Sequence, residues 1–418
     1  MNEGAKAEAT AARILARCAE LARCTETPGA ICRTFLSLAM DEAHALLRRW
    51  AVEAGMTVQL DRAGNFIAST KAAEDTPRLM IGSHLDTVPD AGAYDGVLGV
   101  LLGLAIAEAQ SECGLGIDVV GFSDEEGVRF GTPFIGSKSM TGRLTAELLG
   151  RRDGAGVTAR EALDAFAKAR PDAVSTGLPQ GVRGYLEFHI EQGPVLESEG
   201  LALGVVTKIA GQSRGVLTFV GRAGHAGTTP MVQRQDALAA AAEWIGRVEE
   251  IAHGAEGLVA TVGQISAEPN AVNVIAAGAK CSLDVRHAED AVRTRALSEI
   301  VRAAEEIAAR RGVRCGWSET HTEAAVPMDA AMIAMVEQAV ERAGHPVRRM
   351  ASGAGHDAMV LAPHVPSGMI FLRCPGGLSH HPDEAVLAGD LAAAFKVGLL
   401  FLDEFERAWS AGERRTSA

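Results

Sequence analysis

The sequence has few of the features that mark disulfide scaffolds, membrane proteins and nucleic-acid binders. Its seven cysteines, at positions 18, 24, 32, 113, 281, 315 and 374, are scattered and contain no CxxC pair. We therefore expect neither a disulfide framework nor a cysteine-based zinc site. No purely apolar run reaches the length of about 18 residues that a membrane-spanning helix requires. Acidic residues number 53 against 40 basic ones, and this net charge of −13 disfavours a nucleic-acid partner.

The composition that remains is typical of a globular protein, with 47% hydrophobic and 22% charged residues and only 4% aromatic ones. A chain of 418 residues is too long for one simple core, so two domains are expected. Residues 1–24 are amphipathic and charged throughout, and they lack the apolar centre of a secretory signal. Together with the unpaired cysteines, this predicts a cytoplasmic protein.

One stretch, residues 81–104, combines the end of an apolar strand, a polar loop and an apolar helix. His84 and Asp86 follow the strand, and Asp95 precedes the helix. This pattern places functional groups at the carboxyl edge of a sheet, where an imidazole can bind a metal and a nearby carboxylate can orient the ring. Taken alone, the stretch could equally be a capped helix after a turn.

Polar side chains follow three further apolar strands. Glu125 and Glu126 come after one strand, His189 lies near the end of the next, and His380 and His381 follow the last. Each motif alone is weak, since a histidine beside a loop or an acidic pair is commonly a surface feature. Because the carboxyl ends of parallel strands meet at one edge of a sheet, the four motifs together indicate a metal centre.

The residue types at these strand ends predict which ions bind. Nitrogen and oxygen ligands without a thiolate suit zinc, and also manganese, cobalt or nickel. Three histidines and two carboxylates exceed the needs of one catalytic zinc and match two ions that share a bridging carboxylate. Of the adjacent glutamates, one could bind metal while the other takes a proton as general base.

The order of predicted elements indicates two domains, one inserted into the other. Residues 1–212 and 328–418 alternate strands with helices, which predicts an α/β domain with a mixed, mostly parallel sheet flanked by helices. Residues 213–327 read as β-α-β-β-α-β, the order of a ferredoxin-like α+β domain. Within this insert, one continuous strand is predicted over residues 256–265.

Seven motifs along the chain carry a resemblance to a known family: GSHLDTV with YDG, FSDEEGVRF, HIEQGP, GHAGTTPM, NAVN with DVRH, SGAGHDAM, and GGLSHHPDE. The set resembles the dinuclear zinc amidohydrolases that cleave N-carbamoyl groups, relatives of aminoacylases and di-zinc carboxypeptidases. The resemblance extends from Thr27 to Glu384. It implies a di-zinc aminopeptidase-like catalytic domain, an inserted lid and dimerisation domain, and two divalent metal ions per subunit.

The resemblance also implies a role for each matching residue. The metal ligands would be His84, Asp95 as the bridge, Glu126, His189 and His380. Glu125 would be the general base, Asp86 would orient His84, and His225 would stabilise the developing oxyanion in the active site of the partner subunit of a homodimer. Substrate contacts would come from Gln192, His225, Asn273, Arg286 and Gly355. Two of these have plainer alternatives, a surface salt bridge for Arg286 and a tight turn for Gly355.

Two positions differ from the family's usual residues. One lies next to a predicted metal ligand, and the other bears on which ureido acid is the substrate. His381 stands where the family more often has serine or asparagine. Ser213, beside Arg214, stands where better-known allantoate enzymes carry a second arginine.

The implied activity is a hydrolase acting on carbon–nitrogen bonds other than peptide bonds, with a small ureido acid as substrate. Allantoate, cleaved to ureidoglycine, ammonia and carbon dioxide, is the first expectation. The alternatives are an N-carbamoyl-L-amino acid or N-carbamoyl-β-alanine, as for β-ureidopropionase, and more distantly an N-acyl-amino acid or a peptide. A non-enzymatic binding protein is disfavoured because every ligand and the base are present.

Overall fold

A computed structural model of the chain describes residues 3–73, 76–110 and 114–416, with side chains up to Trp409. Cys113 lies outside the described residues. The chain divides into two compact units. The first comprises Met1–Thr207, Pro327–Met350 and Gly355–Ala418, and the second comprises Lys208–Val326 and Ala351–Ala354.

The larger sheet is mixed, and its centre is parallel. Its strands are β1 (Thr57–Leu60), β2 (Phe66–Ser69), β3 (Arg78–His84), β4 (Gly116–Phe122), β5 (Val182–Ile190), β6 (Leu203–Ile209), β12 (Val326–Pro327), β13 (Arg349–Ser352) and β14 (Ser367–Leu372). They lie in the order β1-β2-β4-β3-β5-β14-β6-β12, with β13 paired to β6. The neighbours β4, β3, β5 and β14 run parallel, whereas β2 and β6 pair antiparallel with this central group.

Helices accompany this sheet along the chain: α1 (Glu3–Leu21), α2 (Leu38–Glu53), α3 (Val97–Ala109), α4 (Ile135–Met140), α5 (Ala146–Leu149), α6 (Ala159–Ala169), α7 (Val195–Ser198), α10 (Ala330–Arg342), α11 (Asp357–Leu361) and α12 (Ala388–Thr416). The predicted mixed α/β sheet flanked by helices is confirmed. Among the residues that the structure describes, no helix combines the length and the apolar character needed to cross a membrane.

Helix α3 follows the polar loop and packs closely against the central strands of the larger sheet. Its residues 97–107 are all buried, as expected of a helix that is apolar on every side. Two glycines allow its close approach. A Cβ atom at Gly99 would lie 2.1 Å from the carbonyl oxygen of Phe188, and one at Gly96 would lie 2.5 Å from the ring of His84. The helix therefore begins directly beside a predicted metal ligand.

The second unit contains a smaller antiparallel sheet with two long helices. Its elements are β7 (Gly211–Val220), α8 (Ala237–His253), β8 (Val259–Thr261), β9 (Ile265–Glu268), β10 (Gly278–His287), α9 (Asp290–Arg311) and β11 (Arg314–Glu323). The strand order is β11-β7-β10-β8, and β9 also pairs with β10. Alternate residues of β7 and β10 are buried in a core with both helices, which leaves Arg214 and Arg286 on the other face.

The single strand predicted over residues 256–265 is wrong, because the structure has two short strands there. Thr261 lies opposite Asp284 and Ile265 lies opposite Cys281, so four steps along one strand match three along β10. This extra residue is the mark of a β-bulge, which separates β8 from β9.

The units also differ slightly from the expected domain limits. The second unit begins at Lys208 and gains Ala351–Ala354, a segment assigned above to residues 328–418. The amide of Ala210 donates a hydrogen bond of 2.8 Å to the carbonyl of Ser352, which joins this short segment to the second unit.

Candidate metal centre

The central parallel strands bring the predicted ligands to one edge of the larger sheet. β3 ends at His84, Glu125 and Glu126 follow β4, His189 is the penultimate residue of β5, and His380 lies in the loop after β14. These strands are neighbours in the order β4-β3-β5-β14. The convergence expected from the sequence is therefore observed.

Three buried side chains form the first group of possible ligands. The Nε2 atoms of His84 and His189 lie 3.4 Å apart, and they lie 3.5 Å and 3.0 Å from Asp95 Oδ1. Nδ1 of His84 lies 3.0 Å from the carbonyl oxygen of Asp86, and Nδ1 of His189 lies 2.8 Å from that of Ile190. Because a carbonyl oxygen can only accept, each Nδ1 carries a proton, and each neutral ring presents a lone pair at Nε2.

The second group shares Asp95 with the first. Nε2 of His380 lies 3.3 Å from Asp95 Oδ2 and 3.2 Å from Glu126 Oε1. Asp95 thus offers one carboxylate oxygen to each group. The neighbouring His381 turns to its own loop, where its Nδ1 accepts a hydrogen bond of 3.1 Å from the amide of Asp383. His380 is therefore the imidazole that the structure sets against Asp95 and Glu126.

A buried carboxylate oxygen without a hydrogen-bond partner indicates whether cations fit between these groups. Asp95 Oδ1 is buried and makes no hydrogen bond within the described part of the chain. A buried carboxylate oxygen that faces two nitrogen lone pairs is costly, and a divalent cation would satisfy all three atoms. The residues present therefore fit a bound divalent cation, and their nitrogen and oxygen donors suit zinc or a similar ion.

Burial and opposite charges shift the pKa values of this cluster. Burial opposes ionisation of Asp95, but the three neighbouring histidines, His189 above all, outweigh it and hold the pKa of this carboxyl well below its usual range. Hydrogen bonds to Asp95 and Glu126 raise the pKa of His380 to about 10. Burial raises the pKa of Glu125 well above its usual range, although the neighbouring His84 opposes this. A carboxyl with a raised pKa accepts a proton more readily than one of ordinary acidity.

Asp86 connects three of the predicted functional residues. Its Oδ1 accepts a hydrogen bond of 2.9 Å from the amide of Glu125, and its Oδ2 accepts one of 3.0 Å from the amide of Glu126. Oδ1 also lies 3.5 Å from His84 Nδ1. The carboxylate of Asp86 thus holds the backbone of two glutamates, while the ring of His84 is bonded to the backbone carbonyl of Asp86. The role of Asp86 in orienting His84 stays a prediction.

Two predicted substrate contacts also lie near this edge of the sheet. The amide Nε2 of Gln192 donates to Asp95 Oδ2 at 3.0 Å and to Ser379 Oγ at 3.1 Å. Gly355 packs against a ring, since a Cβ atom there would lie 2.8 Å from Phe134 Cζ. Close packing alone thus favours a glycine at position 355. The substrate roles of Gln192 and Gly355 stay predictions.

The other predicted substrate residues belong to the second unit. His225 and Asn273 are exposed on two loops joined by a hydrogen bond of 2.9 Å from the Ala226 amide to the Asn273 carbonyl. Nδ1 of His225 accepts a hydrogen bond of 3.1 Å from the Gly227 amide. The neutral ring therefore carries its proton on Nε2, from which it can be donated.

Arg286 makes the salt bridge that was the alternative to a substrate contact. Its Nε and Nη2 atoms each donate to the Asp284 carboxylate at 2.9 Å, and Nη1 donates to the Gly353 carbonyl at 2.7 Å. The roles of His225, Asn273 and Arg286 toward a substrate stay predictions.

Two buried glutamates near the centre were missed by sequence reasoning. Glu384 accepts hydrogen bonds from the amides of Tyr94 and Asp95 at 2.8 Å and 3.0 Å. Glu187, on β5, accepts from Ser83 Oγ at 3.1 Å and from the Ala358 amide at 2.8 Å. The available signal was position, because Glu187 precedes His189 by two residues and Glu384 follows His380 by four.

Known proteins of similar sequence and structure cover nearly the whole chain. Residues 80–404 match the model of peptidase family M20/M25/M40. A probable allantoate deiminase from Oryza sativa subsp. japonica is 36% identical, over 93% of this chain and 87% of that protein. The N-carbamoyl-L-amino acid amidohydrolase of Geobacillus stearothermophilus is 38% identical, over 92% of this chain and 96% of that protein. The crystal structure of an amidase of the hydantoinase/carbamoylase family from Burkholderia multivorans has a TM-score of 0.87 at 35% identity, and covers 94% of this chain and 97% of that one.

Proposed function

Since the chain belongs to peptidase family M20/M25/M40, we propose that it is a metal-dependent amidohydrolase that cleaves the ureido group of a small carboxylic acid. The family expected from the sequence motifs is thereby confirmed. The observation that carries the proposal is the shared carboxylate of Asp95, which faces His84 and His189 through one oxygen and His380 through the other.

The proposed metal ligands are His84, Asp95, Glu126, His189 and His380, holding two divalent ions, which we take to be zinc, manganese, cobalt or nickel. Ions bound there would polarise the carbonyl group of the substrate and lower the pKa of a water molecule. Glu125 would take a proton from the attacking water and later give it to the leaving nitrogen. Its raised pKa supports this role, because a carboxyl of ordinary acidity holds a proton poorly near neutral pH.

In the proposal, the second unit supplies the groups that hold the substrate. His225 Nε2 would donate a hydrogen bond to the oxyanion, and Asn273 and Arg286 would hold the substrate carboxylate. We further propose that this unit is a lid and a dimerisation domain, so that His225 acts in the site of the partner subunit of a cytoplasmic homodimer. The exposure of His225 and Asn273 supports this, since both are accessible to a substrate or to another subunit.

Allantoate is the substrate that we propose first, as in the name of the Oryza sativa relative. An N-carbamoyl-L-amino acid is a second candidate, because the Geobacillus stearothermophilus enzyme of that name matches at a similar identity. Both substrates carry a ureido group and a carboxylate, so the same catalytic groups would serve for either. The difference between them would lie in the side chain that the site accepts.

Ammonia release by the manganese- or zinc-loaded protein tests the proposal. The panel is allantoate, N-carbamoyl-L-methionine, N-carbamoyl-β-alanine and N-acetyl-L-methionine, with the last measured by free amino acid. We expect turnover of allantoate above the others, whereas preference for a carbamoyl amino acid would select the second candidate. Hydrolysis of the acetyl compound alone would contradict the ureido specificity and leave the metal centre in place.

A further inference from the structure

A single carboxylate, that of Glu384, supports the loop that presents Asp95. Its Oε1 atom accepts hydrogen bonds from two successive backbone amides, those of Tyr94 at 2.8 Å and Asp95 at 3.0 Å. Glu384 is 5% exposed. Buried backbone amides need an acceptor, and here one side chain distant in sequence supplies it for both residues.

The same residue joins the loops of two possible ligands of one ion. Glu384 follows His380 by four residues, and its own amide donates a hydrogen bond of 3.0 Å to the carbonyl of His381. Its side chain then reaches the backbone of Asp95. The Nε2 atom of His380 lies 3.3 Å from Asp95 Oδ2. Glu384 therefore ties together two segments that must stay in register for both side chains to bind one cation.

The loop before Asp95 has space for this carboxylate because residue 92 is glycine. A Cβ atom at Gly92 would lie 2.3 Å from Glu384 Cβ and 2.5 Å from Glu384 Oε1. Such distances are far inside van der Waals contact, so a side chain at position 92 would displace Glu384. The loop and the glutamate fit each other at two independent points, the amides of Tyr94 and Asp95 and the bare Cα of Gly92.

We propose that Glu384 is a positioning residue that holds the Asp95 carboxylate where two metal ions can share it. The proposal rests on the metal centre proposed above. Glu384 acts through the backbone of Asp95 and through the His380 loop rather than by binding an ion. Groups that orient metal ligands in this way commonly change metal affinity by about 10- to 100-fold when they are removed.

A purely structural role would have a different signature. Loss of Glu384 would then lower the stability of the metal-free protein without changing the dissociation constant of either ion. The informative measurement is therefore metal affinity. It is obtained by calorimetric titration of the metal-free full-length protein with Mn²⁺ and with Zn²⁺. Activity is not needed for this readout, so the identity of the substrate does not enter.

Two substitutions at position 384 give opposite expectations. Glu384→Ala removes the acceptor, and we expect at least one of the two ions to bind about 10- to 100-fold more weakly. Glu384→Gln keeps a carbonyl oxygen that can accept from both amides, and it should rescue most of the affinity. The control is Val340→Ala, which removes buried apolar atoms on α10 and should lower stability without changing metal affinity.

Gly92→Ala offers a second route to the same defect. The added methyl group should displace Glu384 and weaken metal binding to a similar extent, although residue 384 itself is unchanged. In the double variant with Glu384→Ala the two effects should not add, because both act on one contact. This variant tests the proposal even if Glu384→Ala folds poorly.

The outcomes separate this inference from the function on which it rests. Wild-type affinity in both Glu384→Ala and Gly92→Ala would overturn the positioning role and leave the metal centre intact. A wild-type protein that binds no divalent ion would overturn the metal centre and the positioning role together. Weakened binding in both variants, with rescue by Glu384→Gln and no change in Val340→Ala, would support the proposal.

Discussion

The residues proposed to bind metal and those proposed to bind substrate differ in how the folded chain holds them. His84, Asp95 and His189 are 2%, 4% and 1% exposed, and each is fixed by neighbouring strands or by hydrogen bonds. His225 and Asn273 lie on exposed loops of the second unit. The first group is thus fixed by the fold, whereas the second group is accessible and has few contacts of its own.

This difference has a physical consequence for mutations. A buried polar cluster is costly unless every member is satisfied, so changing one member disturbs stability, metal binding and activity together. An exposed histidine contributes little to folding, and its removal should affect only the steps in which it touches the substrate. The comparison can therefore be tested by measuring stability, metal content and turnover on the same variants.

The largest expected effect falls within one pair of adjacent residues. Glu125→Gln should lower kcat by about 10²- to 10⁴-fold, because the general base is lost, while metal content stays that of the wild type. Glu126→Gln, the matched variant, should instead lower the affinity for metal. Metal analysis and kcat for both proteins check this, and normal turnover in Glu125→Gln would remove that residue from the mechanism.

His225→Ala tests the other side of the comparison. Loss of a donor to the oxyanion should lower kcat by about 10²- to 10³-fold, without a change in metal content or in the free energy of unfolding. His253, exposed at the end of α8, provides the control, since His253→Ala should leave all three quantities unchanged. A fall in metal content in His225→Ala would contradict the division between the two groups.

Mixing two inactive variants sharpens this test. If His225 acts in the site of the partner subunit, dimers of one His225→Ala chain and one Glu125→Gln chain contain one intact site. Random exchange of subunits should then restore about a quarter of the wild-type activity. If His225 instead acts within its own chain, one site of the mixed dimer lacks the base and the other lacks the donor. Both sites would then be impaired, and the mixture would stay inactive.

Most of the proposed ligands could be located from sequence because they lie at or after the end of an apolar strand, and parallel strands share one edge. That argument needs only local patterns and one rule of sheet topology. Glu384 and Glu187 could not be found in this way, since their partners Tyr94 and Ala358 are distant in sequence and become neighbours only in the folded chain. An acidic residue in a loop otherwise resembles a solvated surface residue.

The bulge between β8 and β9 shows a second limit. The residues from 256 to 265 have the composition of one strand, and the break arises from their register against β10. Register depends on which residues of a partner strand lie opposite, and no pattern within the segment itself specifies this.

Asp86→Asn should have an intermediate effect, on metal affinity. Asp86 uses a separate oxygen for each of the amides of Glu125 and Glu126. Asparagine replaces one of these oxygens with an NH2 group, so one backbone donor would face another donor. We expect metal to bind about 10- to 100-fold more weakly, measured by titration of the metal-free protein. Asp118→Asn is the matched control, because Asp118 is also buried but pairs with Arg78. It should lower stability and leave metal affinity unchanged.

The smallest expected effect concerns Arg214, which shares a carboxylate with Arg286. Arg286 donates to both oxygens of Asp284, and Arg214 Nε donates to Oδ2 of the same group at 2.7 Å. Arg286 and Asp284 alone would form a neutral pair, whereas Arg214 leaves the group with one net positive charge. If Arg286 holds the substrate carboxylate, this excess charge should strengthen the contact.

Arg214→Ala should therefore raise KM for a carboxylate substrate by about 10-fold, the effect of roughly 1.4 kcal/mol, and leave kcat nearly unchanged. Stability should change little, because the Arg214 side chain is 47% exposed and exposed ion pairs contribute weakly to stability.

Ser213 provides the control for Arg214, because its side chain is buried and its hydroxyl contacts Arg293. Ser213→Ala should change the free energy of unfolding and leave KM unchanged, so an arginine missing at position 213 would not remove a cation from the face that carries Arg214 and Arg286. An equal rise in KM in both variants would contradict this assignment of the two faces.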